Sequence, residues 1–161
     1  MGATGSTKGT IIMPDKRTIE RARQDKREGK SPSTQAGEFV REEIEKIRHG
    51  KHGARNTKQA IAIGLSEARR AGVDLPPPRT GKKTTRRSAK YAYEAGQGKR
   101  KTTRRPKVSR AVSNVLKKEP RSTASRKALS KQAKRAASSR SASARSASAR
   151  KAARTRARRR K

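Results

Sequence analysis

The chain of 161 residues carries 47 Lys and Arg against 12 Asp and Glu, a formal net charge of +35 at pH 7. Leu, Ile, Val and Phe number only 17, which excludes a large hydrophobic core and predicts extensive disorder. Cysteine is absent, so disulfides, thiol nucleophiles and Cys-based zinc sites are excluded, and so little apolar mass argues against a sheltered catalytic cleft. We therefore expect a protein that is not an enzyme and needs no cofactor and no metal.

Charge is distributed unevenly along the chain. Residues 1–78 hold 16 basic and 10 acidic side chains, whereas residues 79–161 hold 31 basic and only 2 acidic ones. The longest apolar stretch, residues 60–65, is far shorter than the roughly 20 residues that span a bilayer. The composition therefore predicts a cytoplasmic protein with no membrane partner.

The N-terminal region divides near Met13. Residues 1–12 are mostly small and polar and predict a disordered extension, and Met13 resembles a natural start. From Thr18 to Glu28 the charges are mixed and the apolar stripe is short, which predicts a marginal helix ending near Gly29.

A helical hairpin is predicted at residues 35–75, inside a small helical domain of residues 13–78. Apolar residues recur at helical spacing in two segments, 38–48 and 57–71, with a glycine-rich loop between them. The two stripes that should face each other are Phe39, Val40, Ile44 and Ile47 on the first helix and Ile61, Leu65 and Ala68 on the second.

The ends of both hairpin helices have recognisable sequence signals. Gly50 and Gly72 are placed to end the first and second helix in the left-handed conformation, with Val73 following as an apolar contact. Asn56 and Gln59 resemble a capping box at the start of the second helix. These signals make residues 57–71 the strongest predicted element.

Pro76-Pro77-Pro78 marks the predicted boundary between this domain and a basic region of residues 79–119 with short helices. The tetrapeptide Thr-Thr-Arg-Arg occurs at residues 84–87 and 102–105, before predicted helices at 88–95 and 107–118. Tyr91 and Tyr93 lie between the two copies, where either ring contacts phosphate or sugar or packs a helix on the hairpin.

The last segment, residues 120–161, contains sixteen Lys and Arg and no Asp or Glu. A third helix is predicted from Ser122, followed by a disordered Ser/Ala/Arg/Lys-rich tail in which arginines recur every five residues at 135, 140, 145 and 150. A five-residue period spirals around a helix, so no amphipathic membrane face is formed.

Two candidate sites in the hairpin have simpler explanations. Glu45, His49 and His52 have the spacing of three metal ligands, but a polar helix end, with His49 favoured by the helix dipole, explains them better. Lys51, Arg55 and Lys58 lie near a helix N-terminus that can hold a phosphate, although a solvated face balanced by acidic residues is the simpler interpretation.

A single-sign polycation of this density predicts a polyanionic partner, and nucleic acid is the abundant one. Few aromatic residues are available to stack on single-stranded bases, which favours duplex DNA and phosphate contacts without sequence preference. An RNA- or ribosome-associated role is the alternative, as is a protein-interaction module that the tail tethers to nucleic acid. The predicted nucleic-acid-binding residues are Arg86, Arg87, Arg104, Arg105, Arg126, Lys127, Lys131, Lys134, Arg135, Arg140, Arg145, Arg150, Lys151, Arg154, Arg156, Arg158, Arg159, Arg160 and Lys161.

Two resemblances add to this interpretation. Residues 35–78 resemble a bacterial family of small basic proteins of unknown function, whose hallmark is TKQAIAIGLSEARRAG at residues 57–72. That likeness implies a start near Met13 and supplies no activity. The tail resembles bacterial linker-histone-like proteins, which implies DNA compaction.

The sequence thus predicts a mainly α protein without a sheet: a small helical hairpin, extra marginal helices and long disordered basic segments. The expected function is nucleoid-associated binding of duplex DNA, with bridging or compaction, and with self-association through the hairpin as a further expectation.

If ten cations of the tail contact phosphates, the slope of log affinity against log salt concentration should be about −9, because each neutralised phosphate contributes roughly −0.9. A salt titration of binding to duplex DNA measures it. A slope shallower than about −3 contradicts binding through many phosphates.

Overall fold

A computed structural model of the chain describes residues 14–101 and 105–159. Those residues form seven α-helices and one short 3₁₀ helix, with no β-strand among them, which confirms the mainly α prediction. The helices are α1 (Lys16–Arg27), α2 (Pro32–Arg48), α3 (Thr57–Arg70), α4 (Lys83–Gly96), α5 (Pro106–Lys118), the 3₁₀ helix (Ser122–Ala124), α6 (Arg126–Ser138) and α7 (Ala142–Arg159).

The chain divides into two compact units, Met1–Ser125, named here the folded unit, and Arg126–Lys161, named the arm. The predicted extension, residues 1–12, lies outside the described residues. None of the helices in the described part of the chain is long and apolar enough to cross a membrane.

Helix α1 is stabilised mainly by its contacts with α2. The Asp15 carboxylate caps α1 by accepting from Arg17 N at 2.9 Å, and Asp15 N donates to the Glu42 carboxylate at 3.0 Å. Arg21 pairs with Glu38 of α2 at 3.0 Å, and Ala22 is buried. A charge-mixed helix with a short apolar stripe is therefore ordered by tertiary contacts.

The predicted hairpin is present as α2 and α3. Asn56 Oδ1 accepts from Gln59 N at 2.9 Å, as an N-cap should, and Gln59 Oε1 accepts from Arg55 N at 2.7 Å. Both predicted C-terminal glycines, Gly50 and Gly72, have positive φ angles of 76° and 89°, which confirms them as left-handed caps.

The core between the helices is made largely of small side chains. Phe39 and Ile47 are fully buried, but eight of the thirteen buried hydrophobic residues in the described part of the chain are alanines. Small residues allow close approach: a Cβ on Gly64 of α3 would lie 2.7 Å from Val40 Cα of α2. The hairpin is thus packed backbone against backbone at this point.

The folded unit continues beyond Pro78, the predicted domain boundary. Helix α4 packs on α3 through buried Ala89 and Ala92, and a side chain on Gly96 would collide with the Arg69 carbonyl oxygen. Helix α4 therefore packs closely on the hairpin through small residues.

The segment of residues 116–124 also packs on the hairpin, at the loop between α2 and α3. Gly53 N donates to Leu116 O at 2.7 Å and Ala54 N donates to Pro120 O at 3.2 Å. Two side chains complete the contact: Arg48 Nε donates to Ala124 O at 2.9 Å, and the Thr57 hydroxyl donates to Thr123 O at 2.7 Å. The folded unit therefore ends near Ser125.

The arm is helical where the sequence predicted a disordered tail. The third helix does not run on from Ser122, because extended Ser125 separates the 3₁₀ helix from α6. The Ser141 hydroxyl oxygen accepts from Ala144 N at 3.2 Å and caps α7. Most described side chains of α6 and α7 are exposed, so these helices rest on the propensity of alanine.

Gly64→Ala is expected to lower the free energy of unfolding by about 1–3 kcal/mol, because its new methyl group must push α2 and α3 apart. Gly37→Ala in α2 is the matched control. A Cβ there meets nothing within 4 Å, so alanine should stabilise the helix by about 0.5–1 kcal/mol. Urea unfolding followed by circular dichroism measures both, and equal effects of the two substitutions would contradict the close packing.

Candidate nucleic-acid interface

The predicted nucleic-acid-binding residues fall into both units. In the folded unit, Arg86 and Arg87 lie on α4 and Arg105 directly precedes α5, and all three are exposed. Those of the arm lie on α6, on α7 or, for Arg140, in the turn between them, and are exposed where the structure describes their side chains. Arg104, Arg160 and Lys161 lie outside the described residues, and of Arg159 only the backbone is described.

The second half of α7 has a basic stripe that the five-residue period did not reveal. Arg150, Arg154 and Arg158 follow one another at intervals of four, so they lie on one side of the helix, with Lys151 beside them. Successive members are about 6 Å apart along the axis. The signal was present in the sequence as a change of spacing from five to four after Arg150.

Helix α4 has two opposite faces of different chemistry. Its packing face consists of Ala89, Ala92 and Gly96 against α3. At 100° per residue, Lys83, Arg87 and Lys90 lie on the opposite side, and all three are exposed. Sequence reasoning included Arg87 but missed Lys83 and Lys90, because the face is defined only once the packing side of α4 is known.

The two tyrosines of α4 have different roles. The Tyr93 hydroxyl donates to Asp74 Oδ1 at 2.7 Å, which fastens α4 to the end of the hairpin and raises the pKa of Tyr93. Tyr91 is 39% exposed on the outer side, and the Arg100 guanidinium lies 4.8 Å from its ring centroid. Tyr93 therefore packs α4 on the hairpin, whereas Tyr91 lies on the surface.

The acidic residue of the outer side, Glu94, is surrounded by cations. Lys90 Nζ lies 3.7 Å and Arg100 Nε 3.5 Å from its carboxylate. Lys83 and Arg87 lie farther toward the N-terminal end of the helix, in a stretch from Lys82 to Lys90 that contains no acidic residue. The outer side of α4 therefore carries net positive charge.

A second polar cluster lies inside the hairpin, where Glu43 and Glu67 are almost fully buried. Lys46 Nζ lies 2.6 Å from Glu42 Oε1 and 3.7 Å from Glu67 Oε2, while His52 Nε2 lies 3.6 Å from Glu43 Oε1. These contacts join α2, α3 and the loop between them, on which residues 116–124 pack. The cluster therefore brings acidic and basic side chains of these elements together inside the folded unit.

The pKa values of this cluster follow from burial and from its charges. Burial raises the pKa of Glu67 to about 7, against the opposing effect of Lys46. The Glu43 carboxylate raises the pKa of His52, opposed by burial. Both groups therefore bind a proton more tightly in the folded state than in the unfolded state.

The side chains of Glu45, His49 and His52, which have the spacing of metal ligands, do not converge in space. The His49 ring contacts the carbonyl oxygen of Glu45 at 2.8 Å, whereas His52 is directed at Glu43. No group of three His, Cys, Asp or Glu side chains suited to a metal ion occurs within residues 14–101 and 105–159.

The start of α3 offers less to a phosphate than its basic neighbours suggest. Lys51 and Lys58 are exposed, but the Asn56 side chain already accepts from the first turn. Arg55 lies 3.7 Å from Glu119. This region is therefore a solvated polar face.

Comparison with known proteins gives one match. Residues 15–79 match the model of a family of unknown function (DUF6496), which covers α1, α2 and α3 and ends before α4. This agrees with the resemblance to an uncharacterised family and supplies no activity. No curated protein and no solved structure matches the chain.

The free energy of unfolding is expected to fall as the pH rises from 5 to 8. The proton on Glu67 stabilises the fold fully below its unfolded pKa near 4.5, and this contribution is lost as the pH rises through about 7. His52 acts in the same direction, with full stabilisation below 6.5 and loss through its raised pKa.

Glu67→Gln should remove its share of this dependence, on the order of 3 kcal/mol at about 1.4 kcal/mol per pKa unit. Urea unfolding of the wild type and the variant at pH 5, 6, 7 and 8 measures the difference. An unchanged pH dependence in the variant would mean that Glu67 is not the titrating group.

Proposed function

We propose that this protein binds duplex DNA without sequence preference, through contacts of its arm with phosphates, and that it compacts or bridges DNA in the bacterial nucleoid. The observation that carries the proposal is the arm itself. It holds fifteen Lys and Arg and no Asp or Glu. Such a surface gains free energy from a polyanion by releasing its condensed counterions.

The geometry of the arm supports phosphate contacts in particular. The stripe of Arg150, Arg154 and Arg158 presents a charge about every 6 Å along a helix. Duplex DNA presents one phosphate per roughly 1.7 Å of axis, so several phosphates lie within reach of each guanidinium. Nothing in this regular Ala, Ser and Arg repeat matches a base pattern, which favours affinity without specificity.

Duplex DNA is preferred over single strands because exposed rings are scarce. Phe39 is buried in the core and the Tyr93 hydroxyl is bonded to Asp74. Tyr91 alone among the described aromatic rings is exposed by more than a third. Proteins that bind single strands use several such rings as stacking platforms.

The variant that tests this proposal replaces Arg150, Lys151, Arg154 and Arg158 by Gln in the full chain. The salt slope of binding to duplex DNA should become shallower by roughly 3 to 4, because each phosphate that is no longer neutralised reduces the slope by about 0.9. The matched control removes four exposed cations of α1, Arg17, Arg23, Lys26 and Arg27, and its slope should stay near that of the wild type.

A slope that changes equally in both variants would show that net charge, and not the arm, governs binding. Removal of residues 126–161 gives the larger perturbation and leaves the contacts of residues 116–124 in place. Unchanged DNA affinity after that removal would contradict the proposal and favour a protein-interaction module. Preferential binding to ribosomal RNA at the same salt concentration would favour the RNA-associated alternative.

A further inference from the structure

We propose that the outer face of α4, formed by Lys83, Arg87, Lys90 and Tyr91, is a second DNA contact that enters the major groove. This inference rests on the proposed function and adds a contact separate from the arm. Its basis is the way α4 is mounted on the folded unit.

The C-terminal half of α4 is fixed at three places. Gly96 lies against the Arg69 carbonyl, Ala92 is completely buried, and the Tyr93 hydroxyl bonds Asp74 at 2.7 Å. The N-terminal half is different, since every side chain from Lys83 to Ser88 is exposed. The helix is therefore held firmly at one end and presents its basic half to solvent at the other.

The chemistry of the exposed half suits the edges and backbone of a duplex. Lys83 and Arg87 follow each other at an interval of four, and Lys90 continues the same side. Arg87, Thr84 and the Tyr91 hydroxyl can bond phosphate oxygens along the walls of the groove, which requires no particular base. Arg100, stacked on Tyr91, pairs with Glu94 at 3.5 Å and offsets that acidic charge.

The dimensions select the kind of duplex. An α-helix with side chains is about 10–12 Å wide and the major groove of B-form DNA is about 12 Å wide. The major groove of A-form RNA is deep and narrow and does not admit side chains. A rigid helix on the folded unit therefore enters the major groove of DNA but not that of an RNA duplex. The arm, in contrast, contacts the phosphates of both duplexes.

The experiment compares two full-chain variants that each lose three positive charges. One carries Lys83→Gln, Arg87→Gln and Lys90→Gln on α4, and the matched control carries Arg17→Gln, Arg23→Gln and Lys26→Gln on α1. The probes are a duplex DNA and an RNA duplex of the same sequence at equal salt concentration. The α4 variant should bind the DNA roughly tenfold more weakly than the control does, and the RNA duplex within about twofold of the control.

A third probe tests the groove directly. Glucosylated 5-hydroxymethylcytosine places a sugar in the major groove and leaves the phosphates unchanged, so on this DNA the wild type should bind about tenfold more weakly and the α4 variant should weaken little further. Equal weakening on DNA and RNA, or insensitivity of the wild type to the blocked groove, would overturn groove entry. A DNA affinity equal to that of the control would overturn any role of α4.

These failures are distinguishable from failure of the proposed function. The variant of Arg150, Lys151, Arg154 and Arg158 reports on the arm in the same assay. If that variant alone weakens DNA binding, the arm proposal holds and the α4 inference is wrong. Circular dichroism of each variant checks that the helix content is unchanged. No change is expected, because the replaced side chains are exposed.

Discussion

The fold depends on backbones that approach each other without large side chains between them. Three glycines make this possible: Gly64 against Val40, Gly53 against the main chain at Glu119, and Gly96 against the Arg69 carbonyl. A chain with so few large apolar residues cannot stabilise itself by side-chain volume, and a core of this size supplies only roughly 3–5 kcal/mol. Close contacts gain dispersion energy from the main chain instead, and buried alanines keep the distances short.

The hairpin could be predicted because its information is local. Asn56, Gly50 and Gly72 are short-range signals, and the apolar period of α2 and α3 identifies the sides that pack. The docking of residues 116–124 could not be predicted in this way. Its main contacts are main-chain hydrogen bonds from Gly53 and Ala54, which leave no pattern in the side chains. The outer face of α4 could not be predicted for a different reason, because it is defined only once the packing side of that helix is known.

The arm is helical in the structure, and there charge repulsion and helix propensity act in opposite directions. Like charges four residues apart on a helix cost about 0.2–0.5 kcal/mol per pair. Arg150, Arg154 and Arg158 form two such pairs, whereas the surrounding alanines each favour the helix by several tenths of a kcal/mol over most other residues. The repulsion among these three arginines is thus smaller than the summed helix propensity of the alanines around them. Neutralisation of those guanidinium groups by phosphates would remove the remaining penalty.

If the arm and the outer face of α4 both bind DNA as proposed, they differ in the conformational freedom that each would give up. An arm helix without a buried face gains its order from propensity alone, so part of its binding free energy is spent on fixing the chain. Helix α4 has already been ordered by Ala92, Gly96 and Tyr93, and its contacts carry little such cost. In the proposed complex the arm would supply many weak, salt-sensitive contacts. Helix α4 would supply few contacts in a fixed orientation, and this would allow the protein to distinguish one duplex geometry from another.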